Sequence, residues 1–312
     1  MKSPLVTIII PTYNRAHLIG ETLDSVLAQT YKCWECIVVD DGSTDDTDKL
    51  LAAYCNKDTR FQYHLRPKDR HVGANACRNY GFELSKGEYV NWLDSDDMLS
   101  KNKIEEQVRQ LLKNNFATIA TCSWQYFTNS IKEHDLQKDF RVYNSFDDTL
   151  EFIDALALSG GFLPSHTYLV SRELIYQSGN WMENLTINQD GEFFARIFIK
   201  AKRIIYVKNA FVYYRKVNED NVSFLDNKLK ITHAIISWQL IESYFKIRFG
   251  ESTRLVSISK KYLYHNISKK NKNLIKENKL FFEDEILRNK FSFKRVIMNY
   301  LKRILKKAIK RK

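Results

Sequence analysis

The segment YVNWLDSDD, Tyr89 to Asp97, runs from an apolar stretch directly into three closely spaced carboxylates at Asp94, Asp96 and Asp97. Two like charges ~4 Å apart repel by roughly 4 kcal/mol at an effective dielectric of about 20. A fold keeps such a cluster when the acids point apart into water or when a cation lies between them. Mg²⁺ and Mn²⁺ favour oxygen ligands, commonly one or two carboxylates completed by substrate phosphates. The pattern therefore indicates either a solvated acidic turn or a metal–diphosphate site at a strand end.

Upstream of this segment, strand and helix patterns alternate. Strands are predicted at residues 6–10, 35–39, 61–65 and 89–93, and helices at 21–29, 45–54 and 75–84. Pro11 is expected to end the first strand. The alternation predicts an α/β fold with a Rossmann-like, mostly parallel sheet flanked by helices and joined by right-handed crossovers.

Polar side chains follow the ends of these predicted strands. Tyr13, Asn14, Asp41, Arg66 and Asp94 each come directly after one of them or in the loop that follows. In open α/β sheets, ligands bind outside the carboxyl ends of the strands, so these side chains are expected to face one crevice. Neither G-x-G-x-x-G nor a Walker-type loop is present, so a nucleotide would be held by side chains and by a metal.

Five motifs in order resemble glycosyltransferase family 2, the inverting, metal-dependent GT-A group that uses nucleotide-diphosphate sugars. They are IPTYN (10–14), VVDDGSTD (38–45), GANACRN (73–79), KGEYV (86–90) and LDSDD (93–97). The resemblance covers roughly the first 225 residues. It implies a GT-A catalytic domain over 1–225, with a nucleotide-sugar half at about 1–100 and an acceptor half at about 101–225, followed by a helical extension over 226–312.

The resemblance also implies roles for individual residues. Asp94 and Asp96 would be the D-x-D pair that binds Mn²⁺ or Mg²⁺, with Asp96 the more direct ligand. The implied nucleotide-sugar-binding residues are Pro11, Thr12, Tyr13, Asn14, Asp41, Arg66, Arg78, Asp94, Ser95 and Arg215. For Arg78, a helix-surface position is an equal alternative. Arg215 ends a Tyr-Tyr-Arg segment and could clamp a phosphate, although Tyr213 and Tyr214 could simply finish a half-buried strand.

Inverting sugar transfer needs a general base that deprotonates the acceptor hydroxyl. The family places an aspartate at the head of an amphipathic helix for this role, and Asp190 in the segment INQDGEFFAR (187–196) occupies that place. The alternative is that Asp190 is a helix N-terminal acid stabilised by the helix dipole, by less than about 1 kcal/mol when exposed. The two roles are compatible. Glu192 is a second, weaker candidate for the base.

The composition limits where the protein acts. With 312 residues and 44% hydrophobic content, the chain is long enough for one large core and an appendage. It contains no run of 18 apolar residues, so no membrane-spanning helix is expected. Five cysteines, an odd number, fit a reducing cytoplasm.

The positive charge is concentrated at the C-terminus. Residues 288–312 contain eleven Lys or Arg and no Asp or Glu, against a net charge of +12 for the whole chain. Apolar residues recur there at three- and four-residue intervals, which gives a basic helix one apolar face. This pattern is typical of a helix lying in an anionic membrane surface. Docking of the helix on its own catalytic domain is the alternative, and nucleic-acid binding would not explain the apolar face.

Together these observations predict a glycosyltransferase, cytoplasmic and peripheral on the inner face of the cell membrane. It would move a sugar from a nucleotide-diphosphate sugar to a hydroxyl of a saccharide or lipid-linked acceptor in cell-surface polysaccharide synthesis. UDP is the expected nucleotide by family habit alone. The alternative from a different class is a non-catalytic sugar-nucleotide or polyanion-binding protein that has kept the same fold.

Overall fold

A computed structural model of the chain describes residues 3–128, 140–216, 225 and 227–290. The chain divides into two compact units, residues 1–255 and 256–312. The strands of the first unit are β1 (Val6–Thr12), β2 (Trp34–Asp40), β3 (Phe61–Leu65), β4 (Tyr89–Trp92), β5 (Met98–Leu99), β6 (Thr118–Phe127), β7 (Val170–Ser171) and β8 (Arg203–Arg215). Its helices are α1 (Ile19–Leu27), α2 (Thr47–Lys57), α3 (Ala74–Leu84), α4 (Lys103–Leu111), α5 (Thr149–Leu158), α6 (Arg172–Ser178), α7 (Gln189–Lys200) and α8 (Lys228–Phe249).

The strands form two sheets. The larger has the order β3-β2-β1-β4-β7, in which only β7 is antiparallel to its neighbour. The smaller has the order β5-β8-β6, with β6 and β8 parallel and β5 antiparallel to β8. The described chain is thus a mixed α/β fold with a mostly parallel sheet flanked by helices, which confirms the predicted fold class.

Every residue of β1 and β2 is buried, as expected for central parallel strands covered on both faces. The prediction that Pro11 ends β1 is wrong, because the strand continues to Thr12. Pairing of β1 with β4 ends at Ile9 and Trp92, whereas pairing with β2 runs on to Thr12 and Asp40. Beyond Ile9 the strand therefore has one free side, and proline is tolerated where its missing N–H is not needed by the ladder.

Helix α8 lies at the start of the region predicted to be a helical extension, 226–312. The Asn227 side chain accepts a hydrogen bond from the Lys230 N–H at its start, and Gly250 ends it in the left-handed region at φ 85°. Ile235 and Phe245 are buried, and the helix packs against α7. It therefore belongs to the core of the first compact unit.

The second unit contains most of α9 (Arg254–Lys270) and all of α10 (Lys272–Glu277). Its core includes the buried side chains of Leu263, Ile267, Leu274 and Phe282. The predicted interfacial helix at 288–312 lies almost wholly outside the described residues. Among the helices that the structure does describe, none is both long enough and apolar enough to cross a membrane. The predicted boundary between residues 225 and 226 stays a prediction.

Candidate active site

The carboxyl ends of β1, β2 and β3 meet at one edge of the larger sheet. Thr12 is in register with Asp40, and the Asp41 N–H donates to the Thr12 carbonyl at 2.9 Å. The Arg66 N–H donates to the Asp40 carbonyl at 2.8 Å. Backbone hydrogen bonds thereby join the polar loops that follow three neighbouring strands. An open α/β sheet binds its ligand in the crevice at this edge.

The side chains of the predicted nucleotide end are already paired with one another. Asp41 and Arg66 form an ion pair in which each side chain is mostly buried. Asn14 adopts φ 51°, and its Oδ1 accepts the Thr44 N–H at 2.8 Å. Tyr13, next to it, is 52% exposed. The pairs hold the loops in place and leave one aromatic ring uncovered at the crevice.

Pro11, Thr12 and Ser95 lie beneath this surface. All three are buried, so they shape the floor of the crevice. The hydroxyl of Thr12 is buried and has no hydrogen-bond partner within the described chain. A buried hydroxyl without a partner is uncommon, and here it lies directly below the predicted nucleotide site.

The D-x-D turn follows β4. Burial and then the negative charge of Asp94 raise the pKa of the Asp96 carboxyl, while the positive charge of Arg15 opposes that rise. The repulsion inferred from the sequence is therefore present, and a cation would relieve it. Within the described residues, no group of three or more His, Cys, Asp or Glu could hold a metal ion. Mg²⁺ and Mn²⁺ are commonly bound by one or two carboxylates plus substrate phosphates, and the pair Asp94 and Asp96 fits that smaller donor set.

Arg78 is a buried residue, not one on the helix surface. Its guanidinium donates to Asp94 Oδ1 at 2.8 Å and to Asn75 Oδ1 at 3.1 Å. It also lies 4.6 Å from the centroid of the Trp181 ring. A charge this deep in the protein is kept where it is paired, so Arg78 orients the first carboxylate of the D-x-D turn.

Asp97, the third acid of the cluster, belongs to the protein interior. It is 2% exposed, and its Oδ1 accepts the Arg215 N–H at 2.7 Å. Its Oδ2 lies 3.4 Å from Nδ1 of the buried His166. Burial, followed by the charges of Asp96 and Asp94, raises the pKa of the Asp97 carboxyl well above its usual range. Asp97 therefore anchors the turn to the end of β8.

The guanidinium of Arg215 is directed at protein groups. It donates to the Asp96 carbonyl at 2.8 Å, to the Thr128 carbonyl at 3.0 Å and to Glu21 Oε2 at 2.6 Å. Its Cζ lies 4.3 Å from the centroid of the Phe127 ring. A role as a phosphate clamp stays a prediction and would require exchanging some of these partners.

Asp190 lies in the first turn of α7, half-buried. Burial raises the pKa of its carboxyl, the nearby charge of Arg78 lowers it, and the charge of Asp94 raises it. Asp190, Arg78 and the D-x-D turn therefore share one electrostatic site, although Asp190 and Asp94 are far apart in sequence. Glu192, the rival base, is completely buried and accepts from Arg196 at 2.7 Å and from Tyr244 at 3.0 Å. Those contacts give it a structural role.

Two asparagines of α3 connect this helix to the segment that precedes Asp190. Asn79 exchanges hydrogen bonds with the Trp181 backbone, donating to its carbonyl and accepting from its N–H, both at 2.9 Å. Asn75 donates to the carbonyls of Met182 at 2.7 Å and Leu185 at 3.0 Å. These residues flank Arg78, so one turn of α3 positions both the first acid of the D-x-D turn and the approach to α7.

The sequence did not predict that three residues lie close to the acids of the site. Arg15 acts on the charge of Asp96, and its place directly after the TYN motif was a usable signal. Burial, then the charges of Asp97, Asp94, Asp190 and Asp96, raises the pKa of Tyr214, which thus lies among all the acids. Burial, then the charge of Asp190, raises that of Tyr168. No local pattern distinguishes the two tyrosines from ordinary core residues.

Comparison with family profiles identifies the family of the chain. The profile of Glycosyl transferase family 2 matches residues 7–178, more than half of the chain. The chain belongs to glycosyltransferase family 2. The match spans β1 to α6 and so includes the D-x-D turn and the asparagines of α3.

Three curated relatives differ in how much of their length aligns. A glycosyltransferase of Rickettsia typhi, described as uncharacterized, is 42% identical over 135 residues, 43% of this chain and 40% of its own. TuaG of Bacillus subtilis, a putative teichuronic acid biosynthesis glycosyltransferase, is 30% identical over 80% of this chain and 92% of its own. WfgD of Escherichia coli, a UDP-Glc:alpha-D-GlcNAc-diphosphoundecaprenol beta-1,3-glucosyltransferase, is 38% identical over 38% of this chain and 45% of its own. The chain thus spans less than half the length of two of these relatives.

Solved structures share the fold at low sequence identity. TarS of Staphylococcus aureus, residues 1–349 in complex with UDP-GlcNAc, superposes with a TM-score of 0.63 at 20% identity, over 83% of this chain and 70% of that one. The mannosyltransferase PcManGT of Pyrobaculum calidifontis, in complex with GDP-Man and Mn²⁺, gives a TM-score of 0.56 at 19% identity, over 84% of this chain and 70% of that one. At such identities the likeness establishes the fold.

Proposed function

We propose that the protein is an inverting glycosyltransferase that moves a sugar from a UDP-sugar to a hydroxyl of a lipid-linked saccharide in cell-surface polysaccharide synthesis. One observation carries the proposal. The charge of Asp94 raises the pKa of both Asp96 and Asp190, which supports a site in which the candidate metal ligands and the candidate base border the same space. Donor and acceptor must meet between such groups for the transfer to occur.

At the donor end, Asp94 and Asp96 would hold Mn²⁺ or Mg²⁺ together with the diphosphate. The ion, when bound, would neutralise charge on the departing nucleotide. Arg78 fixes the orientation of Asp94, which supports Asp94 as a ligand of defined geometry. Within the described chain Arg15 forms no ion pair, whereas the donors of Arg215 already have protein partners. Arg15 is therefore the better candidate for a second contact to the diphosphate.

At the acceptor end, Asp190 would take the proton of the attacking hydroxyl. A positioned general base contributes about 10²- to 10⁴-fold to the rate, most effectively when its pKa is near the working pH. Burial raises the pKa of Asp190 toward that range, which supports a catalytic role over a purely structural one. Tyr13, Asp41 and Arg66 would border the nucleotide on the opposite side of the D-x-D turn.

The relatives support the choice of substrates. TuaG is named for teichuronic acid biosynthesis and WfgD for transfer from UDP-Glc to a diphosphoundecaprenol-linked sugar. TarS was solved with UDP-GlcNAc. A lipid-linked acceptor would lie at a membrane surface, which agrees with the basic, apolar-faced segment at 288–312. We accordingly propose attachment to the inner face of the cell membrane.

The test measures nucleotide release from a panel of UDP-, GDP- and dTDP-sugars with a lipid-linked acceptor fraction, in Mn²⁺, in Mg²⁺ and in EDTA. We expect acceptor-dependent release of UDP that EDTA abolishes. Asp96→Asn should abolish it too, whereas Asp48→Asn, which changes an exposed acid of α2, should not. Full turnover in EDTA would refute the metal site. Nucleotide-sugar binding without turnover on any acceptor would instead favour a non-catalytic binding protein.

A further inference from the structure

A small cavity lies beside Asp190, between α5, α7 and α8. Its volume is about 50 Å³. It is lined by Leu156, Gly161, Phe162, Leu163, Tyr168, Asn188, Asp190, Gly191, Phe194, Ala195, Phe198, Trp238, Ile241, Phe245 and Leu255. The catalytic scheme above uses only Asp190 of this set, so the cavity needs its own explanation.

The lining changes character with depth. Leu156, Phe194 and Phe245 are buried and apolar and form the inner part. Asn188 and Asp190 are half-buried and form a polar rim, and Phe162 beside them is 42% exposed. A ligand entering here would place an apolar end inside and meet polar groups near the surface.

One of the lining residues, Tyr168, carries a polar group. Tyr168 is 2% exposed, and its ring packs on Phe194 with centroids 4.2 Å apart. Within the described chain, its hydroxyl makes no hydrogen bond. Tyr168 lines the cavity, and burial and then the charge of Asp190 raise the pKa of its hydroxyl, so the ring is close to that carboxylate.

At the rim, the side chain of Asn188 is held in one orientation. Its Nδ2 donates to Ser237 Oγ on α8, so Oδ1 is left as an acceptor. A side chain at Gly191 would run into that Oδ1, which places the oxygen over the first turn of α7. The lining therefore includes one hydroxyl donor, from Tyr168, and one amide acceptor, from Asn188, beside apolar side chains.

We propose that this cavity binds the N-acetyl group of an N-acetylated amino sugar in the acceptor. The proposal rests on the glycosyltransferase function argued above. The methyl group would pack against Leu156 and Phe194, the carbonyl would accept from the Tyr168 hydroxyl, and the N–H would donate to Asn188. The sugar hydroxyl next to the acetamido group would then lie at Asp190.

Size and polarity exclude other occupants. A water needs at least about 10–15 Å³ of such volume, so the cavity has room for roughly three or four small groups. An acetamido substituent fits, and a whole pyranose ring does not. An isoprenoid chain would leave the Tyr168 hydroxyl and Asn188 Oδ1 without partners, at a cost in affinity. A plain hydroxyl would leave the apolar part unfilled.

The first experiment compares two soluble diphospholipid acceptors that differ only in carrying an N-acetylhexosamine or the matching hexose. We expect kcat/KM to favour the N-acetyl acceptor at least 10-fold. Tyr168→Phe should lower kcat/KM for that acceptor roughly 3- to 10-fold, the worth of one hydrogen bond. It should leave the hexose acceptor and the melting temperature unchanged, because the hydroxyl has no partner in the protein. Equal use of both acceptors, or an equal loss on both in Tyr168→Phe, would overturn the assignment.

The second experiment enlarges the cavity. Leu156→Ala should raise kcat/KM for an N-butyryl acceptor relative to N-acetyl. Leu158→Ala is the matched control, since Leu158 is on the same helix but 44% exposed and outside the lining. A gain of activity on one substrate cannot result from general destabilisation. The same shift in both variants, or none in either, would count against the cavity as the binding site.

A binding measurement distinguishes a failure of this inference from a failure of the proposed function. Calorimetry of the N-acetyl acceptor in the presence of UDP measures the subsite even without turnover. Turnover on several acceptors without preference for the N-acetyl group would refute only the subsite. Binding of the N-acetyl acceptor that Tyr168→Phe weakens, without transfer from any donor, would refute only the enzyme.

Discussion

The carboxyl of Asp190 is in an environment that disfavours its charge, since burial and the charge of Asp94 raise its pKa by more than the Gly191 N–H and the charge of Arg78 lower it. A native pKa above the unfolded value means that the native state binds the proton more tightly. The stabilisation that this protonation gives is fully present below the unfolded pKa. It is lost as the pH rises through the raised native pKa. Near neutral pH, Asp190 therefore reduces the stability of the fold.

Asp190→Asn should consequently lower kcat by about 10²-fold or more while donor binding stays within a few-fold of wild type. The melting temperature near neutral pH should rise by about 1–2 °C, because an uncharged amide relieves the desolvation. Activity assays, UDP titration and calorimetric melting test this. A variant that loses both donor binding and stability would show that Asp190 is structural.

The raised pKa of Asp190 also determines how kcat/KM should depend on pH. A base must be deprotonated to act, so kcat/KM should fall on the acid side at a pH above the ordinary aspartate value of 3.8. The pH profile of the wild-type enzyme measures this limb, and the residual activity of Asp190→Asn should lack it.

At the scale of elements, α3 is the link between the two halves of the site. Asn79→Ala would leave the Trp181 N–H and carbonyl without their partner in a buried place, at a cost of about 1–3 kcal/mol per unsatisfied group. We expect clearly lower stability in urea and lower kcat, because the segment before Asp190 loses its support. Asn56→Ala at the exposed end of α2 is the matched control. Equal stability of the two variants would contradict this role for α3.

Elements with strong local patterns were predictable from the sequence. β2 and β3 lie where their β-branched and aromatic runs predicted them, and α7 begins at Gln189, one residue before the predicted base. The smaller sheet was not predicted, because β5 is two residues long and β6 pairs with β8 across a long stretch of chain. Such pairing depends on tertiary contacts that leave no periodic signal in the sequence.

The candidate site also has features that the sequence predicted and features that it did not. The sequence predicted that the residues at strand ends lie together, because parallel strands align their carboxyl ends. The burial of Arg78 and the interior position of Asp97 could not, since a charged residue on a helix or a turn is normally solvated. The contact between α3 and the segment at 181–185 was equally invisible, because amide side chains reach any backbone nearby.

On the scale of the whole molecule, the basic segment at 288–312 is predicted to attach the enzyme to membranes. Removing it should release the protein from anionic vesicles and preserve turnover on a soluble acceptor. Replacing Ile297, Leu301 and Ile304 with Ser should weaken vesicle binding at unchanged charge, and salt should weaken it only in part. Vesicle co-sedimentation measures both. Unfolding or aggregation of the truncated protein would mean instead that the segment belongs to the core.

The hydrogen bonds from Asn75 and Asn79 to residues 181–185 have a consequence for anyone recombining such enzymes. A chimera that takes its donor half from one relative and its acceptor half from another would join an α3 to a loop it did not evolve with. Specificity for the incoming saccharide should therefore transfer between relatives only when both pieces travel together. Exchanging the loop alone would yield a folded scaffold whose reactive groups are out of alignment.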